Sequence, residues 1–214
     1  MLKQFEMDHK IVPLLIKART FLAKYGVKDI SLDKINEEGF SLKEMFREFK
    51  TVDGFVGTIL EYERQSFQSI FKKFPFDMYN AIDALILICK EINSDLFYIN
   101  PYITKGLEEY FPDIYNKHAK MRNEFIVNKV EENIKIGIEQ NIYKKNIDPV
   151  STAQLLENKF NELYDIESKN GENFSFTSIM EKVLELYIKT TANADGINYY
   201  RNRRQLYGVL GFGW

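Results

Sequence analysis

The chain has 214 residues, 45% of them hydrophobic and 28% charged, with a formal charge of −2. That is enough for one large domain or a small head joined to a bigger body, and the composition carries no signature of disorder. The near balance of charge neither draws the molecule to nucleic acid as a whole nor excludes a local basic patch, so partners have to be read from local sequence.

A single cysteine, Cys89, excludes an internal disulfide framework and fits a reducing compartment, so the expected location is the cytoplasm. Glu6, Asp8 and His9 interrupt the place where a secretory peptide needs an apolar core. No stretch approaches the roughly 20 apolar residues of a membrane span. The longest apolar run, AIDALILIC at 81–89, is followed at once by Lys90 and Glu91 and reads as a buried helix. No membrane partner is expected.

Apolar residues recur mostly at helical spacing, without alternating runs bounded by hairpin turns, and the expected class is all-α. In chain order the pattern predicts about nine helices, at residues 10–25, 31–38, 42–48, 53–74, 77–93, 101–109, 112–142, 149–168 and 175–200. Ser31 before LDKI and Ser41 before LKEMF are hydroxyl caps, and Asp148 before Pro149 is a carboxylate cap with proline in the first turn. Pro75, Pro101, Pro112 and Pro149 fall at helix starts or connections, and KNGENFS at 169–175 is the clearest loop. Short helices give way to long ones near residues 51–57, which places a head at 1–55 and a body at 56–214.

The stretch LLIKARTFLAKYGVKDISLDKINEEGFSLKEMFREFKTVDGFV, residues 14–56, joins an amphipathic helix ending in Tyr-Gly, a Ser-capped short helix, and a third helix opened by Gly-Phe-Ser. It resembles the helix-turn-helix head of the TetR (tetracycline repressor) family. NKVEENIKIGIEQNIYKKNIDPVSTAQLLENKF, residues 128–160, is similar to that family's long helix, its G-I-x-x-G-x-x-x-x-x-[IL]-D-P corner, and the helix that begins its dimer interface. The resemblance implies a homodimer with two DNA-binding heads and two helical bodies, each body holding a small-molecule pocket. Spacing alone gives less: Ile30, Leu32, Ile35, Phe40, Met45 and Phe49 close a small three-helix core of a kind that many proteins share.

The head departs from the family where it should touch double-stranded DNA. The turn after Ile35 is one residue short. Phe46 stands where a tyrosine is usual, Glu48 replaces a histidine or tyrosine, Val52 a lysine, and Glu44 a small or hydroxyl residue. Lys43, Arg47 and Lys50 remain as cations, with Ser31, Ser41 and Thr51 as neutral donors to phosphate. Residues 1–55 carry ten Lys/Arg against nine Asp/Glu, a poor concentration of positive charge for a DNA face. Glu44 has the chemistry to read a cytosine amino group, whereas Glu48 near the backbone repels. Lys43 with Arg47 and Glu44 with Glu48 are like-charged at four-residue spacing, so neither pair stabilises the helix by itself. The expectation is weak DNA binding, with a degenerate head on a sensor or interaction protein as the alternative.

Enzymatic signatures are absent: two histidines, no Gly-rich phosphate loop, no CxxC and no Gly-x-Ser-x-Gly elbow. Glu6-x-x-His9 is a lone motif where a bundle metal site needs two, so neither metal nor cofactor is expected. The body is rich in aromatics, most of them core. Between 77–93 and 112–142 the resemblance places a pocket for an apolar or aromatic small molecule, with Cys89, Tyr115, His118, Met121, Arg122 and Phe125 as candidate lining. The last two long helices supply a candidate dimer interface: Leu155, Leu156, Phe160 and Leu163, with Ile179, Val183, Leu186 and Tyr187. The tail mixes Arg201, Arg203 and Arg204 with aromatics, and is expected to finish the last helix and pack on the body.

Overall fold

The structure is a computed structural model that describes residues 13, 22, 26–28, 51–93 and 101–209. Those residues form seven α-helices: α1 (Val52–Lys73), α2 (Ala81–Glu91), α3 (Pro101–Tyr110), α4 (Pro112–Glu139), α5 (Pro149–Ser168), α6 (Phe176–Thr191) and α7 (Ala194–Val209). Two short 3-10 turns, Phe76–Met78 and Gly171–Asn173, lie between them. Among the described residues there is no strand, only an isolated bridge between Tyr143 and Ala192. The all-α expectation holds here, while the helices expected at 31–38 and 42–48 lie outside the described residues. Of the helix expected at 10–25, Pro13 and Leu22 are described and helical, and Gly26 (φ 74) ends that turn in the left-handed region, its N–H donating to the Leu22 carbonyl at 2.9 Å.

The chain divides into two compact units, residues 1–66 with 98–120 and residues 67–97 with 121–214. In the first, Leu22, Val27, Phe55, Val56, Ile59, Leu60 and Leu107 are buried together, with Ile103, Phe111, Ile114 and Tyr115 packed around them. In the second, α2, α4, α5, α6 and α7 meet around Ile82, Ile86, Ile134, Tyr143, Leu156, Leu184 and Ile188. A smaller cluster of Ile70, Phe76, Ala84, Ile88 and Ile92 joins the end of α1 to α2.

Local chemistry sets the helix ends. Thr51 caps α1, its hydroxyl accepting from the Gly54 N–H at 3.0 Å, and Lys72 and Lys73 sit in the last turn where the dipole favours cations. Asp148 accepts from Ser151 N–H at 2.8 Å to cap α5, and the Ser151 side chain, then this backbone N–H, lower its carboxyl below its ordinary value. Ser175 caps α6 in the same way, from Ser178 N–H at 3.2 Å. Two expected boundaries differ. The helix expected from 77 begins only at Ala81, because the 3-10 turn and extended Tyr79 and Asn80 precede it, and Asn80 Oδ1 accepts from Ile82 N–H at 3.0 Å. The single helix expected over 175–200 is two helices. Ala192 is extended and Asn193 starts α7, its side-chain oxygen accepting from Gly196 N–H at 2.9 Å.

The break is tertiary in origin. Asn141 (φ 59) ends α4 in the left-handed region that asparagine tolerates, and the chain turns back on itself. Asn193 N–H then donates to the Ile142 carbonyl, Lys144 N–H to that of Thr191, and Lys144 Nζ to those of Lys189 and Thr190. The corner captures the last carbonyls of α6 and stops it.

The turn also drives the Tyr143 ring against Gly137, where an added Cβ would lie 2.1 Å from a ring carbon. Inside, Asn133 Oδ1 accepts from the Tyr143 hydroxyl at 3.1 Å and from the Tyr187 hydroxyl at 2.5 Å, and its amide donates to the Ala81 carbonyl at 2.9 Å. Gly137→Ala gains roughly 1 kcal/mol of helix propensity but overpacks the ring by about 1–3 kcal/mol, so a net loss of stability is expected in urea denaturation. Asn133→Ala strands two buried hydroxyls and should cost about 3 kcal/mol, against about 1 for Tyr143→Phe. Equal effects of those two substitutions would show that the hydroxyls find other partners.

Candidate functional site

The last turns of α1 and the middle of α4 hold an aromatic cluster within the second unit. Phe71 meets Phe125 edge-on at 5.2 Å and 88°, Phe67 meets Phe125 at 6.0 Å and 74°, and Phe71 meets the buried Phe76 at 6.2 Å and 78°. These are the T-shaped geometries that aromatic quadrupoles favour. Over the cluster opens a cleft of about 500 Å³, lined by Gln68, Phe71, Lys72, Pro75, Phe76, Phe125, Lys129 and Glu132. Phe71, Pro75, Phe76 and Phe125 make its apolar lining. Its polar groups are the Gln68 amide, the exposed Lys72 ammonium, and a Lys129–Glu132 ion pair at 2.5 Å one turn apart on α4. Such a surface takes an apolar or aromatic body and offers it a few hydrogen-bonding or cationic tips.

Of the six ligand residues expected from sequence, Phe125 lines this cleft. Met121, exposed, and Arg122, whose Nε donates to Asn123 Oδ1 at 3.4 Å, sit about a turn earlier on α4 and do not line it. Tyr115 and the half-buried His118 belong to the first unit, where Tyr115 packs on the core. Cys89 is buried in the main core of the second unit, and burial pushes its thiol up to about 12.

The eight expected interface residues divide between core and surface. Leu156, Ile179 and Tyr187 are buried inside the second unit. Phe160 and Leu186 pack against the core from its edge, and Leu163 and Val183 are half-buried. Leu155 is 50% exposed, as are Ile166 at 55% and Val150 at 44%, two residues that the sequence reading passed over.

Among the expected DNA contacts, Ser31, Ser41, Lys43, Glu44, Arg47 and Lys50 lie outside the described residues. Thr51 is exposed, and its hydroxyl is engaged as the α1 cap.

A polar cluster that the sequence reading missed ties α7 to α2. Asp83 Oδ2 accepts from the Tyr199 hydroxyl at 2.6 Å and from Arg203 Nη2 at 3.1 Å, and the guanidinium lies 5.1 Å from the centre of the Tyr199 ring. Asp83 Oδ1 is 3.0 Å from Arg203 Nε, but that N–H is spent on the Tyr199 oxygen, so Oδ1 gains charge attraction without a hydrogen bond. Burial, then the Asp83 carboxylate, raise the Tyr199 phenol. The signal was present as one carboxylate inside the apolar run AIDALILIC. Arg204 pairs with Glu185 on α6. Two of the three tail arginines are therefore held by acidic side chains of the body.

Among the described residues no group of three or more His, Cys, Asp or Glu is placed to hold a metal ion, and no helix is long and apolar enough to cross a membrane.

The thiol of Cys89 should not react with an aromatic disulfide reagent at pH 8 until the protein is unfolded, because it is both covered and protonated. Its raised pKa leaves stability intact below the ordinary thiol value of 9.0 and removes it as pH rises from there towards about 12, the unfolded chain losing its proton first. Rapid labelling of the native protein would contradict the burial of α2.

Compared with models of known protein families, with curated proteins and with solved structures, the chain matches none, so its function has to be argued from the residues themselves.

Proposed function

We propose that this chain is a TetR-like transcriptional regulator, a homodimer whose heads bind DNA under the control of an apolar or aromatic ligand held in the body. The observation that carries this reading is the corner at residues 137–149, where the sequence resemblance and the local physics coincide. Gly137 is needed because the Tyr143 ring lies against it. Asn141, where the family motif has its second glycine, is left-handed at φ 59. Asp148 and Pro149 start α5 as cap and first-turn proline. Each motif position answers to a backbone or packing requirement.

The cleft over Phe71, Phe76 and Phe125 supports a ligand role. Its residues Gln68, Phe71 and Lys72 belong to α1, a continuous helix that begins directly after Thr51. A ligand that displaces Phe71 therefore acts on the helix that follows the head in sequence. Regulation further requires that the ligand bind two arrangements of that helix with different affinity.

The second reading keeps the sensor and drops the DNA. It is favoured by Glu44 and Glu48 within the segment whose sequence resembles a DNA-reading helix and by the near-neutral charge of residues 1–55. Fluorescence anisotropy on duplexes from the protein's own upstream region separates the two. The regulator reading expects weak binding that falls with salt, with a slope of log affinity against log salt of roughly 0.9 for each phosphate neutralised. Glu48→Lys should tighten binding to all sequences alike and steepen that slope by about one contact, whereas Glu44→Ala should change preference among sequences. Absence of binding at low salt by both the wild type and Glu48→Lys would leave the sensor reading.

Ligand binding has its own test. In a thermal-shift screen of aromatic and acyl compounds, a hundredfold excess over the dissociation constant should stabilise the protein by about 2.7 kcal/mol. Phe125→Ala should abolish the shift. A shift that survives this substitution would move the ligand site away from the cleft.

A further inference from the structure

The exposed face of α5 carries a stripe at spacings of four, three and four: Leu155, Lys159, Glu162, Ile166. These positions fall within about 60° of one another around a helix of 3.6 residues per turn. Leu155 and Ile166 are the two apolar ends, 50% and 55% exposed. Between them Lys159 and Glu162 form an ion pair with side chains 46% and 55% exposed. The order is apolar, basic, acidic, apolar, and it is symmetric in position about the midpoint between Phe160 and Asn161.

That symmetry has a consequence under a twofold axis. If a second copy of α5 lies antiparallel with the axis at the midpoint, each residue faces the one equally far on the other side. Leu155 then meets Ile166 of the partner subunit, and Lys159 meets the partner subunit's Glu162. The apolar contact and the charge contact each form twice, as an isologous interface requires. The two intrahelical pairs close into a ring of four alternating charges. A parallel pairing would oppose like charges at both positions.

We infer that α5 is the homodimer helix, pairing antiparallel with its copy in this register, with Leu155 on Ile166 of the partner subunit and Lys159 on the partner subunit's Glu162. The inference rests on the homodimer part of the reading above and narrows the interface within the pair of helices expected from sequence. The partner helix α6 spends its apolar residues inward, with Ile179, Met180, Leu184, Tyr187 and Ile188 buried, and exposes Lys182 and Lys189. On α5 itself Ala153 is buried roughly opposite the stripe, and Leu156, about a quarter turn from it, is buried at 4%. The stripe is the self-complementary part of the exposed α5 face, beside the polar Ser151, Gln154, Asn158 and Asp165.

Charge reversal provides the test, read by sedimentation of the full chain at micromolar concentration with circular dichroism as the check on folding. The wild type should be a dimer. Lys159→Glu makes the stripe acidic at both central positions, and Glu162→Lys makes it basic at both. Each variant alone should weaken self-association by more than about tenfold, since like charges then face each other across the axis. Mixed in equal amounts, the two should form a heterodimer, because an acidic stripe now faces a basic one. The double variant Lys159→Glu/Glu162→Lys should recover the homodimer.

A wild-type dimer unaffected by either reversal would overturn this register while leaving the homodimer standing. So would single variants that dissociate yet fail to pair when mixed. A wild type that stays monomeric would overturn both.

Discussion

The second unit is organised around one carboxamide. Asn133, fully buried on α4, binds three separate parts of the chain through its side chain: the start of α2 through the Ala81 carbonyl, the returning corner through Tyr143, and α6 through Tyr187. Burial raises both phenols far above their ordinary range, so at neutral pH they stay protonated and remain donors. A buried polar group without partners costs more than its hydrogen bonds return, and here the side-chain oxygen accepts twice while the amide nitrogen donates once. The geometry is therefore restrictive. Sliding α4 by one residue would turn the amide about 100° away and leave two hydroxyls unpaired.

That restriction determines what remains on the surface. With one flank of α4 committed to the core through Asn133, Ile134 and Gly137, Phe125 together with Lys129 and Glu132 is left to line the aromatic cleft. A second contact pins the start of α2 to the end of α4: Gln140 accepts from the Ala81 N–H and donates to the Tyr79 carbonyl. At the other end of the chain Asp83, Tyr199 and Arg203 fasten α7 onto α2. The helices α2, α4, α6 and α7 are thus joined by directional polar contacts as well as apolar packing. Val150, Leu155 and Ile166 are exposed on α5, the same helix that buries Ala153 and Leu156.

What could be read from sequence follows the same division between local and tertiary causes. The starts of α3, α4 and α5 at Pro101, Pro112 and Pro149 were legible because proline and its preceding cap act on their own backbone. The break between α6 and α7 was not, since apolar periodicity continues through Ala192 and the helix is stopped by Ile142 and Lys144, fifty residues away in sequence. Asn193 could have marked it as a cap, but asparagine is common inside solvent-facing helices too. Phe125 was found because the resemblance points to a pocket along this long helix, whereas Cys89 required knowing which side of α2 faces the core. Leu155 and Leu156 are adjacent in sequence and about 100° apart on the helix, so only the packed structure says which is free.

The proposed dimer seam and the proposed DNA head share a dependence on salt, and the two have to be separated before either is weighed. Two heads offering Lys43, Arg47 and Lys50 neutralise at most six phosphates, which sets a slope of roughly 5 in log affinity against log salt. The Lys159–Glu162 pair on α5 is half-exposed, so salt would also screen the proposed contacts between copies. If protein is diluted below the dimer dissociation constant, loss of the second head adds to the apparent slope and makes a weak head look more electrostatic than it is. A slope steeper than six contacts permit would therefore report on α5 rather than on DNA. Measured with the protein held dimeric, the slope counts the cations that the head places on phosphate, and a count near zero would mean that Glu44 and Glu48 have cancelled what Lys43, Arg47 and Lys50 contribute.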